Sequence, residues 1–148
     1  MGQLFDPVHG PVVPIGPFYV ANLDTALTNT DLLLHGTAGV TLAPGMPSAG
    51  TVLGVSVSNN GAAPSAGTAT FSVHSAGTEL VNGPTAVIDS VTNTLESSGL
   101  AASARSHTFA KGARLGVSGT TTTNLAATTL DYSAYIWVRF DPNGLAGA

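Results

Sequence analysis

The stretch at residues 130–140 reads Leu-Asp-Tyr-Ser-Ala-Tyr-Ile-Trp-Val-Arg-Phe, and its alternation decides the fold. Successive side chains of a strand point to opposite faces of the sheet. One face carries Tyr132, Ala134, Ile136, Val138 and Phe140, and the other carries Ser133, Tyr135, Trp137 and Arg139. The first face predicts a sandwich core. Burying one Tyr or Trp is worth about 4 to 6 kcal/mol, so we expect the second face to meet another layer, another subunit or a ligand.

The composition indicates one domain with an unusually uncharged surface. The chain has 148 residues, enough for a single core without disulfide bonds. Only 8% of the residues are charged, against about 25% in typical soluble domains. Charge therefore protects this surface poorly, and we interpret the chain as a subunit of an ordered assembly. The alternative is that Ser, Thr and Gly solvate the surface well enough for a free monomer.

The charges and motifs exclude several classes of partner. The net charge is −4, and the four Lys and Arg residues form no basic stripe, so we expect no nucleic acid partner. Without cysteine there are no disulfides and no thiolate metal sites. No apolar run reaches the roughly 18 residues of a membrane span, and no secretory signal is visible, so we expect no membrane partner.

The first 17 residues predict an extended arm. Prolines recur at Pro7, Pro11, Pro14 and Pro17, a density that forbids a helix and removes ladder donors. The residues between them are apolar, so we expect the arm to lie in a groove on a neighbouring protein. The candidate anchors are Phe5, Val8, Val12 and Ile15. The alternative is that the arm folds back and covers an edge of its own sandwich.

The rest of the chain predicts an all-β domain over residues 18–141, followed by a short tail at 142–148. Strands are expected at 18–23, 31–35, 39–42, 51–59, 67–74, 74–83, 85–91, 105–110, 114–118 and 130–140. A helix is the competing interpretation for residues 23–35. Residues 97–99, Ser-Ser-Gly, are expected to form a turn. Short strands between Gly-, Pro- and Asn-rich turns favour an antiparallel β-sandwich or jelly roll.

No constellation for catalysis or cofactor binding emerges. The histidines His9, His35, His74 and His107 have no metal-ligand spacing and are expected to be partly exposed strand residues. Asp131 and Asp141 bracket the last strand about 33 Å apart at about 3.3 Å per residue, too far for a glycosidase pair. We therefore expect no enzyme, metal or cofactor.

The outward side chains of the last strand are the feature with a binding character. Tyr135, Trp137 and Arg139 are expected to form a subunit interface. The alternative is a platform on which Tyr135 and Trp137 stack against sugar rings.

Four segments resemble the jelly-roll modules of tailed-phage virion proteins, namely capsid decoration (cement) and head-fibre proteins. They are residues 46–57, 66–73, 109–117 and 134–138, within residues 46–140. The resemblance implies a sandwich that forms a homotrimer on the outer surface of an icosahedral phage head, with the arm binding the major capsid protein. It implies no catalytic residues. A carbohydrate- or receptor-binding module on a virion or cell surface is the alternative function, and a pilus-like subunit is a third.

Overall fold

The computed structural model describes residues 5–6, 10–20, 28, 30–101, 107–122 and 131–141, and in these ranges the chain is all-β. The strands in chain order are β1 (Phe5–Asp6), β2 (Gly10–Val20), β3 (Thr30–Asp31), β4 (Leu33–Leu34), β5 (Gly50–Asn59), β6 (Thr68–Ser75), β7 (Thr78–Glu79), β8 (Thr85–Asp89), β9 (Glu96–Leu100), β10 (Thr108–Phe109), β11 (Leu115–Thr121) and β12 (Tyr132–Phe140). His9 and the tail predicted at 142–148 lie outside the described residues.

The strands form two antiparallel sheets. In the first sheet the long strands run in the order β2, β12, β5, β9, with β1 and β4 beside β2 and β10 beside β5. In the second sheet the order is β3, β11, β6, β8, and β7 pairs with the end of β6. If the four long strands of the first sheet and the four main strands of the second are numbered 1 to 8 in chain order, the first sheet has the order 1-8-3-6 and the second has the order 2-7-4-5. This is the jelly-roll arrangement, and it confirms the predicted fold class.

Strand β12 supplies the centre of the core, as its alternation predicts. The side chains of Tyr132, Ala134, Ile136 and Val138 are fully buried, and Phe140 is nearly so. The Tyr132 ring packs on Phe71 of the second sheet at a centroid distance of 5.0 Å. Apolar side chains from both sheets fill the space between them, with Phe18, Leu32, Val55, Val73, Ile88, Leu115 and Val117 among the most buried.

Both sides of the sandwich are closed by contacts between the sheets. On one side Ser97 Oγ of β9 accepts a hydrogen bond from the Val87 N–H of β8 at 3.0 Å. Gly99 faces β8 so closely that a Cβ there would overlap the Thr85 carbonyl oxygen. On the other side β3 pairs with β11 and β4 pairs with β2. The short segment of residues 30–34, which contains β3 and β4, therefore contributes a strand to each sheet.

Several sequence predictions are corrected by the pairing. Residues 97–99 belong to β9 and pair with β5 instead of forming a turn. The alternation of Leu53, Val55 and Val57 in the sequence predicts that all three share one face, but a register shift in β5 turns Val52 inward and leaves Leu53 half-buried. Residues 39–42 form no strand. The strand predicted at 31–35 is present as the two short strands β3 and β4, and the competing helix does not form over residues 30–35. Of the candidate helix, residues 23–27 and 29 lie outside the described ranges.

The proline-rich segment is paired with its own sandwich over residues 10–17. Strand β2 runs through the boundary expected after residue 17, because Val12, Val13 and Pro14 pair with β12 as Phe18 and Tyr19 do. This is the folded-back alternative. The prolines fit because β2 has only the short strands β1 and β4 on its other side.

The contact at Gly99 predicts that Gly99→Ala destabilises the fold. The added methyl group must push β8 and β9 apart, which should lower the free energy of unfolding by about 1 to 3 kcal/mol. Urea unfolding measures the change. The matched control is Ser98→Ala on the exposed face of the same strand, expected within about 0.5 kcal/mol of the parent protein. Equal stability of the two variants would contradict the close contact.

The Tyr132 hydroxyl predicts a stabilising substitution. It is buried and has no hydrogen-bond partner in the described part of the chain, and burial raises the pKa of Tyr132 to about 12. Tyr132→Phe should raise the free energy of unfolding by about 1 kcal/mol at pH 7.

The same phenol predicts an alkaline dependence. Because the pKa of Tyr132 is raised in the folded state, the unfolded chain loses the phenol proton at lower pH than the folded chain does. The free energy of unfolding is therefore unaffected by this ionisation below about pH 10 and falls as pH rises towards about 12. The advantage of Tyr132→Phe should therefore grow between pH 10 and 12 in urea unfolding. Tyr135→Phe, on the half-buried face of β12, is the control. A loss of stability in Tyr132→Phe at pH 7 would show that the hydroxyl has a partner.

Candidate functional site

The outer face of the first sheet carries the residues that the sequence singled out. The strand register aligns them in rows that cross the sheet: Val12, Arg139 and Thr51; then Pro14, Trp137, Gly54 and Leu100; then Tyr135, Ser56 and Ser98; then Tyr19, Ser133, Ser58 and Glu96. The second row is apolar, and the fourth is polar from β12 to β9. The face therefore changes character along the strands.

The two aromatic side chains of β12 lean towards opposite neighbours. Tyr135 lies over β2, because a Cβ on Gly16 would stand 3.2 Å from Tyr135 Cδ1. Trp137 reaches across β5, where its Nε1–H donates to Ser56 Oγ at 2.9 Å. Tyr135 and Trp137 therefore do not form one stacked pair, although they share a face as predicted.

The apolar row is open to solvent in the single chain. Leu100 is 83% exposed and Trp137 is 37% exposed, and Pro14 is exposed as well. Gly54 lies between Trp137 and Leu100 and is buried, because the Leu100 side chain lies over it: a Cβ on Gly54 would stand 3.3 Å from Leu100 Cδ2. Burying an exposed leucine fully is worth about 1.5 to 3 kcal/mol, so this row is a place where binding would be favourable.

The β2 side of this face brings together two sets of residues that the sequence analysis treated separately. Val12 of the predicted arm pairs with Arg139 of the predicted interface, and Pro14 pairs with Trp137. We call Val12, Pro14, Tyr135 and Arg139 the β2–β12 surface. Arg139 is half-buried, and its Nε has no hydrogen-bond partner in the described ranges.

The remaining predicted anchors take different places. Ile15 turns inward and packs against the core. Phe5 pairs through its backbone with Pro11, so the chain folds back beside the start of β2, and nothing is described of the Phe5 side chain. Val8 lies outside the described residues. The anchoring role of these residues stays a prediction.

The β9 side of the face holds a polar groove that the sequence analysis missed. It is an open depression lined by hydroxyl, amide and carboxylate side chains, and we call it the serine groove. Its polar members are Ser56, Ser58, Asn93, Glu96 and Ser98. Val57 and Ser97 also border it, but their side chains turn towards the second sheet. Because Ser56 also accepts the hydrogen bond from Trp137, the indole borders the groove. The sequence signal was the Ser-x-Ser alternation of β5. It indicates that these serines face outward, but it does not indicate which strand lies beside them.

The loop that ends the groove is held by Asp89. The Oδ1 atom of Asp89 accepts hydrogen bonds from the backbone N–H groups of Val91 and Thr92, at 2.7 and 2.6 Å, and a longer one of 3.3 Å from Asn93. Its Oδ2 accepts from Thr92 Oγ1 at 2.8 Å. These bonds lower the pKa of Asp89 to about 2, chiefly through the backbone of Thr92 and Val91.

Asn59 connects the same loop to its neighbour. Its Nδ2 donates to the carbonyl oxygens of Ala62 and Thr94, at 2.9 and 3.2 Å, and its Oδ1 accepts from the Gly61 N–H at 3.0 Å. The backbone N–H of Asn59 also donates to Leu95 O at 2.7 Å. The position of Asn93 is therefore set from both ends of the loop.

The histidines form no common site in the described ranges. His74 points to the outer face of the second sheet as predicted, but it is only 2% exposed, which corrects the expectation of a partly exposed residue. Its Nε2 lies 3.1 Å from Asp31 Oδ1 without hydrogen-bond geometry. Gly116 leaves room for the ring, because a Cβ there would overlap the imidazole. The alternation of residues along the strand could not predict that the outward side chain of His74 is buried.

Two further searches cover the described residues alone. No three His, Asp or Glu side chains in these ranges are grouped so that they could hold a metal ion. No helix in these ranges has the length and hydropathy of a membrane span.

Comparisons with known proteins give little. No protein-family model matches the chain, and no curated protein matches it. A solved structure titled "Sacbrood virus of honeybee" is similar to this chain with a TM-score of 0.43 and 14% sequence identity, covering 93% of this chain and 72% of that chain. A likeness of this degree carries no argument about function or partners.

The pKa of Asp89 predicts how acid affects the loop. Because that pKa is lowered in the folded state, the carboxylate stabilises the fold above about pH 4, and the effect is lost as pH falls through about 2. Asp89→Asn should unfold at lower urea concentration than the parent protein at pH 7, and the difference should vanish towards pH 2. Glu79→Gln removes an exposed carboxylate elsewhere and is the control. A pH-independent difference for Asp89→Asn would contradict the mechanism.

Proposed function

We propose that this chain is a structural subunit of a virion, a capsid decoration or cement protein on the outer surface of a phage head. One observation carries the proposal: the N-terminal segment and β12 are neighbouring strands. The candidate anchor Val12 and the candidate interface residues Tyr135 and Arg139 thereby lie side by side on one surface. A protein with this surface works by burying area against other chains.

The β2–β12 surface has the composition of a contact between proteins. Val12 and Pro14 are apolar, Tyr135 is an aromatic with a polar end, and Arg139 is a half-buried cation. Tyr and Arg are enriched at protein interfaces, where they often contribute most of the binding energy. With only 8% charged residues in the chain, little repulsion or charge desolvation opposes association through this surface.

The fold is compatible with this role and does not establish it alone. Jelly rolls occur in viral capsids, lectins and cupins, and one fold hosts many functions. In this chain apolar side chains occupy the space between the sheets, so binding is expected on the outside of the sandwich. The resemblance of residues 46–140 to phage decoration and head-fibre proteins adds the virion to the proposal.

The proposed partners are the major capsid protein and two further copies of this chain. A subunit that bridges neighbouring capsomers binds only the assembled shell, so by linkage its binding free energy adds to the stability of the shell. Phe5 and Val8, which the sequence predicts as anchors, are proposed to contact the same capsid protein. The proposal assigns no catalysis, no cofactor, no nucleic acid and no membrane to the chain.

The double variant Val12→Ser/Tyr135→Ser tests the surface. Removing two partly exposed side chains that become buried in the complex should weaken association of the copies by about 10- to 100-fold. Light scattering over a dilution series measures the mass, which should fall from that of a trimer towards that of one chain. Deleting residues 1–16 is a poorer test, because it removes seven of the 11 residues of β2.

The control is Val81→Ser, which removes a valine that is 82% exposed and lies between β7 and β8, away from the surface. It should leave the mass unchanged. Antibodies against the chain should also bind intact virus particles from its source. A monomeric parent protein that is absent from those particles would refute the proposal.

A further inference from the structure

We infer that the serine groove, together with the exposed indole of Trp137, is a binding site for a neutral oligosaccharide. The inference does not depend on the virion role. It uses the β9 side of the outer face, whereas the proposed contact with other chains uses the β2 side.

The indole is fixed in a position that suits stacking. Its N–H is already bound to Ser56, so the ring needs no other partner and cannot turn freely. A little over a third of the side chain remains open, at 37%. Sugar rings present an apolar face of C–H groups, which packs against an aromatic face as other apolar groups do. Leu100 continues the apolar row on the far side of Gly54.

The groove supplies the polar half of such a site. Ser58 and Ser98 are exposed hydroxyls that can both donate and accept, and Asn93 offers an amide with the same ability. The Glu96 carboxylate accepts hydrogen bonds from hydroxyl groups. These groups match the mixed donors and acceptors of a polyol. Against an apolar peptide face they would find no hydrogen-bond partners.

The charge of the groove selects the class of sugar. Its lining includes the Glu96 carboxylate and no Lys, Arg or His. An acidic sugar would bring a second negative charge close to Glu96 with no cation to compensate for it. The groove therefore favours neutral sugars.

The length of the site favours a chain of sugars over one ring. Leu100 and Glu96 mark its two ends on β9, four residues apart, and at about 3.3 Å per residue this spans about 13 Å. The apolar row and the polar row can then contact different rings of one short oligosaccharide.

The site is already formed without a ligand. Asp89 and Asn59 hold the loop that carries Asn93. Ser97 ties β9 to β8, which keeps Ser98 and Glu96 on the outer side. A preformed site loses less conformational entropy when it binds. This argues for recognition and against an accidental surface depression.

The experiment is a titration of the whole protein with a panel of neutral oligosaccharides, maltohexaose, cellohexaose, mannohexaose and xylohexaose, and with sialyllactose as the acidic comparison. Trp137 is the only tryptophan, so a change in its emission reports on this site alone, and calorimetry gives the affinity. We expect at least one neutral sugar to bind and to change the emission, and sialyllactose to bind more weakly.

Three variants locate the site. Their sugar affinities are measured by calorimetry, because Trp137→Ala removes the tryptophan whose emission reports binding. Trp137→Ala and Glu96→Gln should each weaken binding at least tenfold. Ser58→Trp should block the groove from an exposed position without touching the core, so it tests the site even if Trp137→Ala is unstable. Val81→Ser is the control and should bind as the parent does.

The outcomes separate this inference from the proposed function. Absence of binding across the panel overturns the inference, as does stronger binding of sialyllactose or unchanged affinity in both Glu96→Gln and Ser58→Trp. If Trp137→Ala dissociates the oligomer and leaves sugar affinity unchanged, the indole belongs to a subunit contact and the inference fails. Loss of association in Val12→Ser/Tyr135→Ser with sugar affinity retained would support the division of the face.

Discussion

The structure depends on β12 being paired on both sides. It lies between β2 and β5, so nearly all of its backbone groups are used within the first sheet. Its inward side chains are buried almost completely against the second sheet. With backbone and inward face both satisfied, only the outward side chains of β12 remain for other partners. The candidate site is therefore the part of this strand that the fold does not use.

The outward face is divided by how its side chains lean. Tyr135 covers Gly16 on β2, and Trp137 reaches Ser56 on β5. Small residues on the flanking strands permit both positions, because larger ones would occupy the same space. The result is an apolar and cationic half beside the N-terminal segment, and beside β9 a half that is polar at the serine groove and apolar at Leu100. Two kinds of contact can coexist on one sheet for this reason.

Sequence reasoning succeeded where burial alternates along a strand and failed where a neighbour sets the outcome. The inward faces of β11 and β12 were predictable, since Leu115, Val117 and Ile136 recur at the period of a strand. Strand β9 was missed because its Ser and Gly residues lack that signal, and at Gly99 the close approach of β8 leaves no room for a side chain. His74 was expected to be exposed, but the face that it occupies is covered. The serine groove combines residues 56–58 with residues 93–98, two segments far apart in the chain, so no local pattern predicted it.

The sequence by itself determined that the chain is an all-β sandwich with one apolar face of residues 132–140 inside, because strand periodicity and turn residues act locally. Only the tertiary structure decided that residues 12–15 pair with β12, that β9 completes the first sheet, and which outward side chains become neighbours. These outcomes depend on hydrogen bonds between segments far apart in the chain. The free energy of such a pairing depends on the residues of both strands, so it cannot be inferred from the sequence of either strand alone.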